Sequence, residues 1–330
     1  MMIDPYGRPI TSLRITLTQR CNLNCFYCHR EGEKGSERNE MTAEEFDRIG
    51  RIAAELGIKR IKLTGGEPLL RNDILEIVQS LAHHADEVSM TTNGTLLEKL
   101  SYPLKEAGLA RVNVSLDTLS SRKYMQITNN RIFGTESVMR GIKKAVEAGL
   151  NPLKVNTVLL KGINDSEIDE IIDFTASVGA ILQLIEFETT RDGEAQAEYR
   201  RYHADLRPLE ARLEEMAEQV AYNELHRRKK YLFHRNGRMA EVEVVRPMHN
   251  SIFCANCKRI RLASDGHLRG CLLTDYGSMD LLTEMRAGAS DERIKNIFER
   301  VVAMRRPYWS PEAKVDEKGK NNEGIEETVA

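Results

Sequence analysis

The chain has 330 residues, and its 48 basic and 50 acidic side chains leave a formal net charge of −2. This length is enough for a large core, either in one domain or in a barrel with an appended module. The near balance of charge provides no bulk field for nucleic acid or a membrane surface, so any anion site must be local. Because no apolar run approaches the ~18 residues of a membrane span and the first residues lack a signal-peptide segment, we expect a cytoplasmic protein.

The first predicted strand covers residues 12–18 (SLRITLT), where every second residue is apolar. The loop after it carries Cys21, Cys25 and Cys28 in a C-x3-C-x2-C spacing, which we call the first triad. Three thiols are one ligand short of the four that structural zinc or an ordinary iron–sulfur cluster takes from protein. A 4Fe–4S cluster held by three thiolates leaves one iron open for chemistry. Buried structural thiols or an incomplete zinc site are the alternatives, and neither requires this spacing.

Strand and helix patterns then alternate at about 30 residues per unit, which predicts a parallel α/β sheet with right-handed crossovers. Thr42 and Glu45 form a T-x-x-E capping box at the first helix, which Gly57 closes. The later segments are a strand at 58–64, a helix at 72–83, a strand at 88–92, a helix at 96–107, a strand at 111–116, a helix ending near 149, a strand at 153–160, a helix at 166–178 and a strand at 181–187.

Each predicted strand has an apolar face for the helices and an unusually polar opposite face. The polar residues at alternate strand positions are Arg14, Thr16, Arg60, Lys62, Thr64, Thr91, Asn93, Asn113, Ser115, Asp117, Lys154 and Asn156. A closed eight-stranded barrel fills its interior with branched apolar side chains. A polar interior therefore predicts a wider, incomplete (βα)6 TIM-like barrel with a ligand in its lumen and its site at the C-terminal strand ends.

The second half of the chain has a different character. A charged, helix-prone stretch leads to a predicted hairpin that turns at Asn236-Gly237. Cys254, Cys257 and Cys271 follow in a C-x2-C-x13-C spacing, which we call the second triad. Two clustered triads, with no cysteine left over, favour two metal sites over disulfides.

Zinc is the alternative at the second triad, because His267 would complete a Cys3His knuckle. Against it, Arg259 and Arg261 lie beside the triad on one predicted strand face, and Asp265-Gly266 turns the chain back. A second cluster with an open iron, next to two guanidinium groups, suits a ligand that carries both a metal-binding nitrogen and phosphates.

The domain organisation follows from these patterns. We expect a barrel over residues 1–188 and an extension over residues 189–310 that binds the second cluster and closes the open side of the barrel. Residues 311–330 are nearly all polar or charged and are predicted to form a disordered tail.

Several motifs together resemble one known family over about residues 8–305: CNLNCFYC, GGEP, TTNG, NVSLD, LKVN, KGIND and CxxCKRIRLxxDGxLxxCL. This family is the GTP 3′,8-cyclases of molybdenum cofactor biosynthesis, which are radical S-adenosylmethionine (SAM) enzymes. The resemblance implies a lyase with two 4Fe–4S clusters, one on each triad, and SAM on the open iron of the first cluster. It further implies that a 5′-deoxyadenosyl radical starts the conversion of GTP to 3′,8-cyclo-7,8-dihydro-GTP.

The same resemblance assigns the site residues. Those expected to hold SAM are Tyr27, Gly66, Glu67 and Ser115. Those expected to bind GTP, mainly at its phosphates, are Arg14, Lys62, Thr91, Lys154, Arg259 and Arg261. Arg261 is also the candidate catalytic residue that steers the radical.

The implied partners are an electron donor of the flavodoxin or ferredoxin type, the downstream cyclic pyranopterin monophosphate synthase and a second copy in a homodimer, without nucleic acid or membrane. Two departures from the family pattern stand out. Gln183 replaces a common inward arginine on the sixth strand, and the chain ends in EETVA rather than Gly-Gly. We therefore expect one charge fewer in the phosphate site and no part for the tail in the reaction. The alternatives are a peptide-modifying radical SAM enzyme with an auxiliary cluster and a non-catalytic zinc module that binds nucleic acid.

Overall fold

The computed structural model describes residues 1–33, 40–223 and 226–310. The tail predicted to be disordered, residues 311–330, lies outside the described residues, and so does the prediction about its part in the reaction. None of the helices in the described ranges is long and apolar enough to cross a membrane.

Six parallel strands form the centre of one sheet. In chain order they are β1 (Ser12–Thr16), β2 (Arg60–Thr64), β3 (Glu87–Thr92), β4 (Arg111–Ser115), β5 (Lys154–Leu159) and β6 (Ile181–Glu186). Each pairs in parallel with the next along the chain. Within the described residues β6 does not return to pair with β1, so the sheet stays open. The predicted incomplete (βα)6 barrel is confirmed.

Helices connect these strands and cover the apolar face of the sheet. They are α1 (Ala43–Glu55), α2 (Ile74–His84), α3 (Leu97–Glu106), α4 (Ser121–Thr128), α5 (Thr135–Glu147) and α6 (Ile168–Val178). The predicted capping box is present at α1, where the Thr42 side chain accepts from the Glu45 backbone N–H and the Glu45 carboxylate accepts from that of Thr42. The helix expected to end near residue 149 is two helices, because Asn129 takes a left-handed conformation (φ 45°) after α4.

The alternation of residue types decides which face of the barrel strands is core. Leu13, Ile15, Leu63, Val114 and Leu182 on the strands' apolar face are fully buried against the helices. The polar residues between them therefore point to the other face and line the lumen, as the period of two requires.

The extension lengthens the same sheet at both edges. Its elements are α7 (Ala197–Tyr202), α8 (Arg207–Met216), β7 (Gln219–Tyr222), β8 (Lys229–Arg235), β9 (Arg238–Val245), α9 (Ser251–Ala255), β10 (Arg259–Leu262), β11 (His267–Arg269), β12 (Met279–Asp280), α10 (Leu282–Arg286) and α11 (Asp291–Ala303). β9 pairs in parallel with β6, and β10 pairs in parallel with β1. The full strand order is β12-β11-β10-β1-β2-β3-β4-β5-β6-β9-β8-β7. The division at residue 188 thus falls within one continuous sheet.

The predicted hairpin is β8–β9, and it turns at Asn236-Gly237, which both have positive φ (51° and 73°). Two successive left-handed residues are the signature of the tight hairpin turn that Asn-Gly favours. The hairpin places β9 against β6 and so carries side chains of the extension into the lumen.

Candidate active site

A cavity of about 720 Å³ lies inside the open barrel, and both triads line it. The polar strand face predicted from the sequence forms much of its wall. The predicted site residues in the wall, beside the two triads, are Arg14, Tyr27, Lys62, Gly66, Thr91, Ser115, Lys154, Arg259 and Arg261. Glu67 is the one predicted site residue that does not line this cavity.

The first triad lies in the loop that follows β1, and hydrogen bonds fix this loop to the barrel. The backbone N–H groups of Asn24 and Phe26 donate to carbonyl oxygens at the end of α4, at 2.9 and 3.1 Å. Backbone N–H groups also point at the sulfurs, that of Leu23 at Cys21 Sγ and that of Arg30 at Cys28 Sγ, both at 3.4 Å. Such hydrogen bonds favour thiolates, although burial outweighs them and leaves the pKa of Cys21 and of Cys28 raised. Three thiols in one short loop are the donor set that a 4Fe–4S cluster with one open iron takes.

The second triad has stronger cationic surroundings. Trp309 donates its backbone N–H to Cys254 Sγ at 3.4 Å, and Arg305 Nη2 lies 3.7 Å from Cys257 Sγ. Burial acts to raise the pKa of Cys257, but Arg305 and Arg259 outweigh it and leave this pKa lowered. A thiol with a lowered pKa is a ready metal ligand.

The zinc alternative finds no support in the geometry. His267 is not part of the cavity wall, and its Nδ1 lies 3.1 Å from Asp265 Oδ1. Within the described ranges, no three or more His, Cys, Asp or Glu side chains converge on a single-ion site. Each thiolate of a cubane cluster binds a different iron, so a cluster accepts a wider spacing of thiols than one zinc ion does.

A buried ion network anchors the second triad to the beginning of the chain. The Asp4 carboxylate accepts from Arg8 Nε at 2.7 Å and from Arg305 Nη1 at 2.6 Å. The two arginines then donate to the triad's own backbone, at the carbonyl oxygens of Cys254 (2.9 Å) and Cys257 (3.1 Å). Nothing in the sequence pattern indicated this network, because Asp4 and Arg305 are 301 residues apart along the chain.

Cations on three neighbouring strands form the first half of a charged wall. In the strand register Arg14 lies opposite Arg261 on one side and opposite Lys62 on the other. The Glu31 carboxylate lies between the two arginines, 3.1 Å from Arg14 Nη2 and 2.9 Å from Arg261 Nη1. Burial acts to raise the pKa of Glu31, but the two guanidinium groups outweigh it and hold this pKa at about 2. Lys62 donates to Asn113 Oδ1 at 2.9 Å, and burial with nearby cations holds the lysine pKa well below its usual value.

The second half of the charged wall surrounds Glu243, whose side chain is fully buried. Its carboxylate accepts from Lys154 Nζ at 2.5 Å and from Gln183 Nε2 at 2.7 Å, and Arg228 Nη2 lies 3.5 Å away. Gln183 thus binds a carboxylate that the sequence analysis had not placed here. Arg228 also lines the cavity and adds a cation that no sequence pattern indicated. Residue 183 contributes no positive charge to the wall, and Arg228 contributes one close by.

Arg259 is a buried cation close to two other arginines of the wall. Burial, followed by repulsion from Arg14 and Arg261, lowers its pKa to about 9. Its Nε is buried without a hydrogen-bond partner in the described part of the chain. Such a group is stabilised by an anion in the cavity.

Three of the four residues expected to hold SAM face the cavity beside the first triad. The Tyr27 hydroxyl donates to Asp117 Oδ2 at 2.6 Å, and this hydrogen bond fixes the ring beside the first triad. Gly66 donates its N–H to Thr18 at 2.7 Å, and a Cβ here would come within 2.3 Å of the Arg20 carbonyl oxygen. Only glycine therefore fits this close approach of two backbones. Ser115 ends β4 at the same side of the sheet.

The carboxylate of Glu67 is held by hydrogen bonds behind the cavity wall and does not line the cavity. It is fully buried and accepts from Thr92 Oγ1 (2.7 Å), the Asn93 N–H (2.7 Å) and the Leu69 N–H (3.0 Å). Burial raises its pKa to about 7. These contacts fix the side chain at the end of β3, and its expected contact with SAM stays a prediction.

His226 is a further wall residue that the sequence did not indicate. Its ring stacks on Phe253 with centroids 3.7 Å apart, and neither ring nitrogen has a hydrogen-bond partner among the described residues. Burial, followed by the charge of Arg259, holds its pKa far below the ordinary value, so the imidazole is neutral. A neutral imidazole offers a ligand one donor and one acceptor.

Comparison with known proteins shows the family of this chain. The radical SAM superfamily matches residues 15–175, and the family described as Molybdenum Cofactor Synthesis C matches residues 180–311. A probable GTP 3′,8-cyclase of Thermococcus kodakarensis is 50% identical over 309 residues, which cover 94% of this chain and 100% of the relative. One from Pyrococcus abyssi is 50% identical over 310 residues, with 94% and 100% covered. The chain belongs to the GTP 3′,8-cyclase family of radical SAM proteins.

Among solved structures, Streptococcus suis SuiB bound to its precursor peptide SuiA has a TM-score of 0.66 at 16% identity. The match covers 93% of this chain and 67% of that chain. SuiB bound to S-adenosylmethionine matches with a TM-score of 0.62 at 18% identity, over 88% of this chain and 68% of that chain. At such low identity the likeness establishes the radical SAM fold and nothing about the substrate of the cyclase-family chain.

The Asp4 network generates a stability prediction. Asp4→Ala leaves the buried guanidinium groups of Arg8 and Arg305 without their carboxylate, so the free energy of unfolding should fall by about 3–5 kcal/mol. Chemical denaturation measures this change. The thiols of Cys254 and Cys257 should also react faster with a thiol reagent, because their backbone loses its anchors.

Asp86→Ala is the matched control, since Asp86 forms only an exposed pair with Lys59 at 3.9 Å. It should change the free energy of unfolding by less than about 1 kcal/mol. Equal losses in the free energy of unfolding for the two variants would contradict the conclusion that Asp4 anchors the second triad.

Proposed function

We propose that the protein is a radical SAM lyase that converts GTP to 3′,8-cyclo-7,8-dihydro-GTP, an early step of molybdenum cofactor biosynthesis. One observation carries the proposal: a single cavity is lined by two cysteine triads and by a wall of buried cations. Two triads supply two clusters, and a wall of cations suits a polyanionic ligand of nucleotide size. Membership of the GTP 3′,8-cyclase family supports the same assignment.

The first triad would hold the 4Fe–4S cluster that binds SAM, and the second triad would hold the cluster that binds guanine. When bound, the first cluster and SAM supply one-electron cleavage chemistry that starts a radical cyclisation. The chain's own residues orient the reactants. Tyr27 provides an aromatic face for the adenine of SAM, Gly66 a close backbone approach for its methionine end, and Ser115 a hydroxyl for the same end.

The phosphates would bind to Arg14, Lys62, Lys154, Arg259 and Arg261, which lie on four strands around the cavity. Charge-assisted hydrogen bonds to phosphate are the strong class of hydrogen bond, and the guanidinium fork can bind two oxygens at once. Thr91 would add a hydroxyl near the nucleotide. Arg261 borders both the second triad and the phosphate region, so it is the candidate for holding the ribose in line with the radical source.

The alternative functions fit these contacts less well. A peptide-modifying enzyme needs an extended groove, whereas the cations here converge inside the barrel lumen. A zinc module that binds nucleic acid needs its cations on an exposed face, where a phosphate backbone can reach them. Buried cations that surround a cavity favour a small polyphosphate.

The partners follow from this chemistry. An electron donor of the flavodoxin or ferredoxin type would reduce the first cluster, and cyclic pyranopterin monophosphate synthase would consume the product. Six free thiols require a reducing compartment, which supports a cytoplasmic location. We also propose that the protein forms a homodimer.

The direct test is anaerobic incubation of the reconstituted protein with SAM, a reductant and GTP, followed by mass analysis of the product. Formation of 5′-deoxyadenosine together with a cyclised GTP derivative is the expected result. ATP is the matched control, because it carries the same triphosphate but lacks the guanine base. Cleavage of SAM without any change of GTP would contradict the proposal.

Substitution of the first triad should remove SAM cleavage altogether. Cys21→Ala, Cys25→Ala or Cys28→Ala leaves two thiolates, and the chain's three other cysteines belong to the second triad. Chromatographic measurement should find no 5′-deoxyadenosine from any of these variants. Full cleavage activity in one of them would rule out the radical SAM assignment.

Substitution of the second triad should separate the two activities. Cys254→Ala, Cys257→Ala or Cys271→Ala should abolish GTP cyclisation, while some uncoupled SAM cleavage persists at the first cluster. Iron analysis should find the second cluster lost and the first retained. One stoichiometric zinc per chain with no second iron cluster in the native protein would instead support the knuckle.

Loss of a phosphate-binding cation should weaken GTP binding selectively. A charge-assisted hydrogen bond contributes about 1.5–3 kcal/mol, so Arg259→Ala should weaken GTP binding roughly tenfold or more. Guanosine, which lacks phosphates, is the control ligand in the same calorimetric titration. Equal losses for GTP and guanosine would show that Arg259 does not bind phosphate.

A further inference from the structure

Three cations lie side by side across neighbouring strands of the cavity wall. Arg261, Arg14 and Lys62 are register partners on β10, β1 and β2, and adjacent strands are about 4.8 Å apart. Like charges placed directly opposite one another destabilise a sheet, and burial increases the effect. An anion is therefore needed in this row. Glu31 supplies it between the two arginines, and its side chain is only 8% exposed.

The backbone around Glu31 is built to hold this carboxylate in place. Arg30 and Glu31 both have positive φ (48° and 53°), a conformation that non-glycine residues keep only when their surroundings enforce it. The next residue, Gly32, accepts from Arg269 Nη1 at 2.9 Å, and a Cβ there would lie 2.4 Å from the Leu272 carbonyl oxygen. The turn is thus pressed against the segment of the second triad.

A third partner completes the position of the carboxylate. Thr64 at the end of β2 donates its hydroxyl to Glu31 Oε1 at 2.8 Å. Glu31 therefore accepts from side chains on β2 and β10 and forms an ion pair with Arg14 on β1. It also follows Cys28 by three residues, so the same short loop carries a ligand of the first triad and the anion of the cation row.

Carboxylate and phosphate oxygens are bound by the guanidinium fork in the same way. We propose that Glu31 is an internal anion that shares Arg14 and Arg261 with the phosphates of the substrate. It thereby limits how tightly a polyphosphate binds and links that binding to the loop of the first triad. A phosphate that takes over N–H donors of the two arginines displaces the Glu31 carboxylate, and the loop that carries Cys28 moves with it.

The inference rests on the proposed function only for the identity of the polyphosphate as GTP. Inorganic tripolyphosphate is therefore the first probe, and it is titrated into the protein by calorimetry at fixed ionic strength. Glu31→Gln keeps the shape of the side chain and removes its charge. The variant should bind tripolyphosphate at least tenfold more tightly than the wild-type protein does, because the arginines no longer share their donors with an anion.

Glu33→Gln is the matched control in the same loop. Glu33 accepts from the backbone N–H and hydroxyl of Ser264, at 3.1 and 2.6 Å, and is not among the residues that line the cavity. Its substitution should leave tripolyphosphate binding within about twofold of the wild-type value. An equal gain in affinity for both variants would mean that loosening the loop is responsible, and the proposal would be wrong.

A second measurement tests the link to the first triad. In the reconstituted wild-type protein, GTP should stimulate 5′-deoxyadenosine formation. In Glu31→Gln the GTP-free rate should rise severalfold and the stimulation should shrink. Glu31→Asp keeps the charge on a shorter side chain, so its GTP-free rate should lie between those of the wild-type protein and Glu31→Gln. It provides the same comparison if the glutamine variant does not fold.

The outcomes separate this inference from the proposed function. Unchanged or weaker tripolyphosphate binding by Glu31→Gln would overturn it, since Glu31 would then orient the arginines rather than compete for them. Tighter binding by the variant, with no cyclised product from wild-type protein and GTP, would support the internal anion while contradicting the cyclase assignment.

Discussion

Burying several cations close together is the constraint on which the rest of the cavity depends. Arg14, Lys62 and Arg259 are each desolvated, and each lies in the field of other cations of the wall. Such an arrangement is unfavourable unless anions are supplied from within or by a ligand. Glu31 and Glu243 supply part of the negative charge, and the pKa of each is about 2 because nearby cations outweigh its burial. The remaining positive charge makes a polyanion the ligand that this cavity binds best.

The open barrel is what allows the wall to form. In a closed barrel β1 would pair with the last barrel strand. Here the free edge of β1 pairs with β10 from the extension. That pairing brings Arg261 opposite Arg14 and the second triad beside the first, although the two segments are about 240 residues apart. At the other edge, β9 brings Glu243 opposite Gln183. The extension therefore contributes charged side chains to the cavity wall as well as strands to the sheet.

Periodicity and capping rules were sufficient for the parts of the fold that depend on local sequence. The alternation of polar and apolar residues correctly predicted the lumen face of β1, β2 and β5. The T-x-x-E box at Thr42 and the turn at Asn236-Gly237 were also confirmed. Asn129, by contrast, divides a predicted helix in two, because asparagine adopts the left-handed region with little penalty and offers no clear sequence signal when it does.

The parts that sequence reasoning missed are long-range. Asp4 meets Arg305 only after the whole chain has folded, and Arg228 reaches Glu243 only through the hairpin. Glu31 carries no periodic signal, since it lies in an irregular turn after the first triad. The motif that singled out Glu67 did not indicate the three donors that hold its carboxylate at the end of β3. Its contact with SAM stays a prediction.

The two triads have different surroundings, and this difference suits different tasks. Cys21 and Cys28 are exposed, while the three thiols of the second triad are partly covered. All three thiols of the first triad line the cavity. Arg305 beside Cys257 places positive charge at the second triad, and hydrogen bonds and net charge around sulfur set the reduction potential of a cluster. Positive charge stabilises the reduced state of a cluster, so a cluster held by the second triad would have Arg305 to raise its reduction potential.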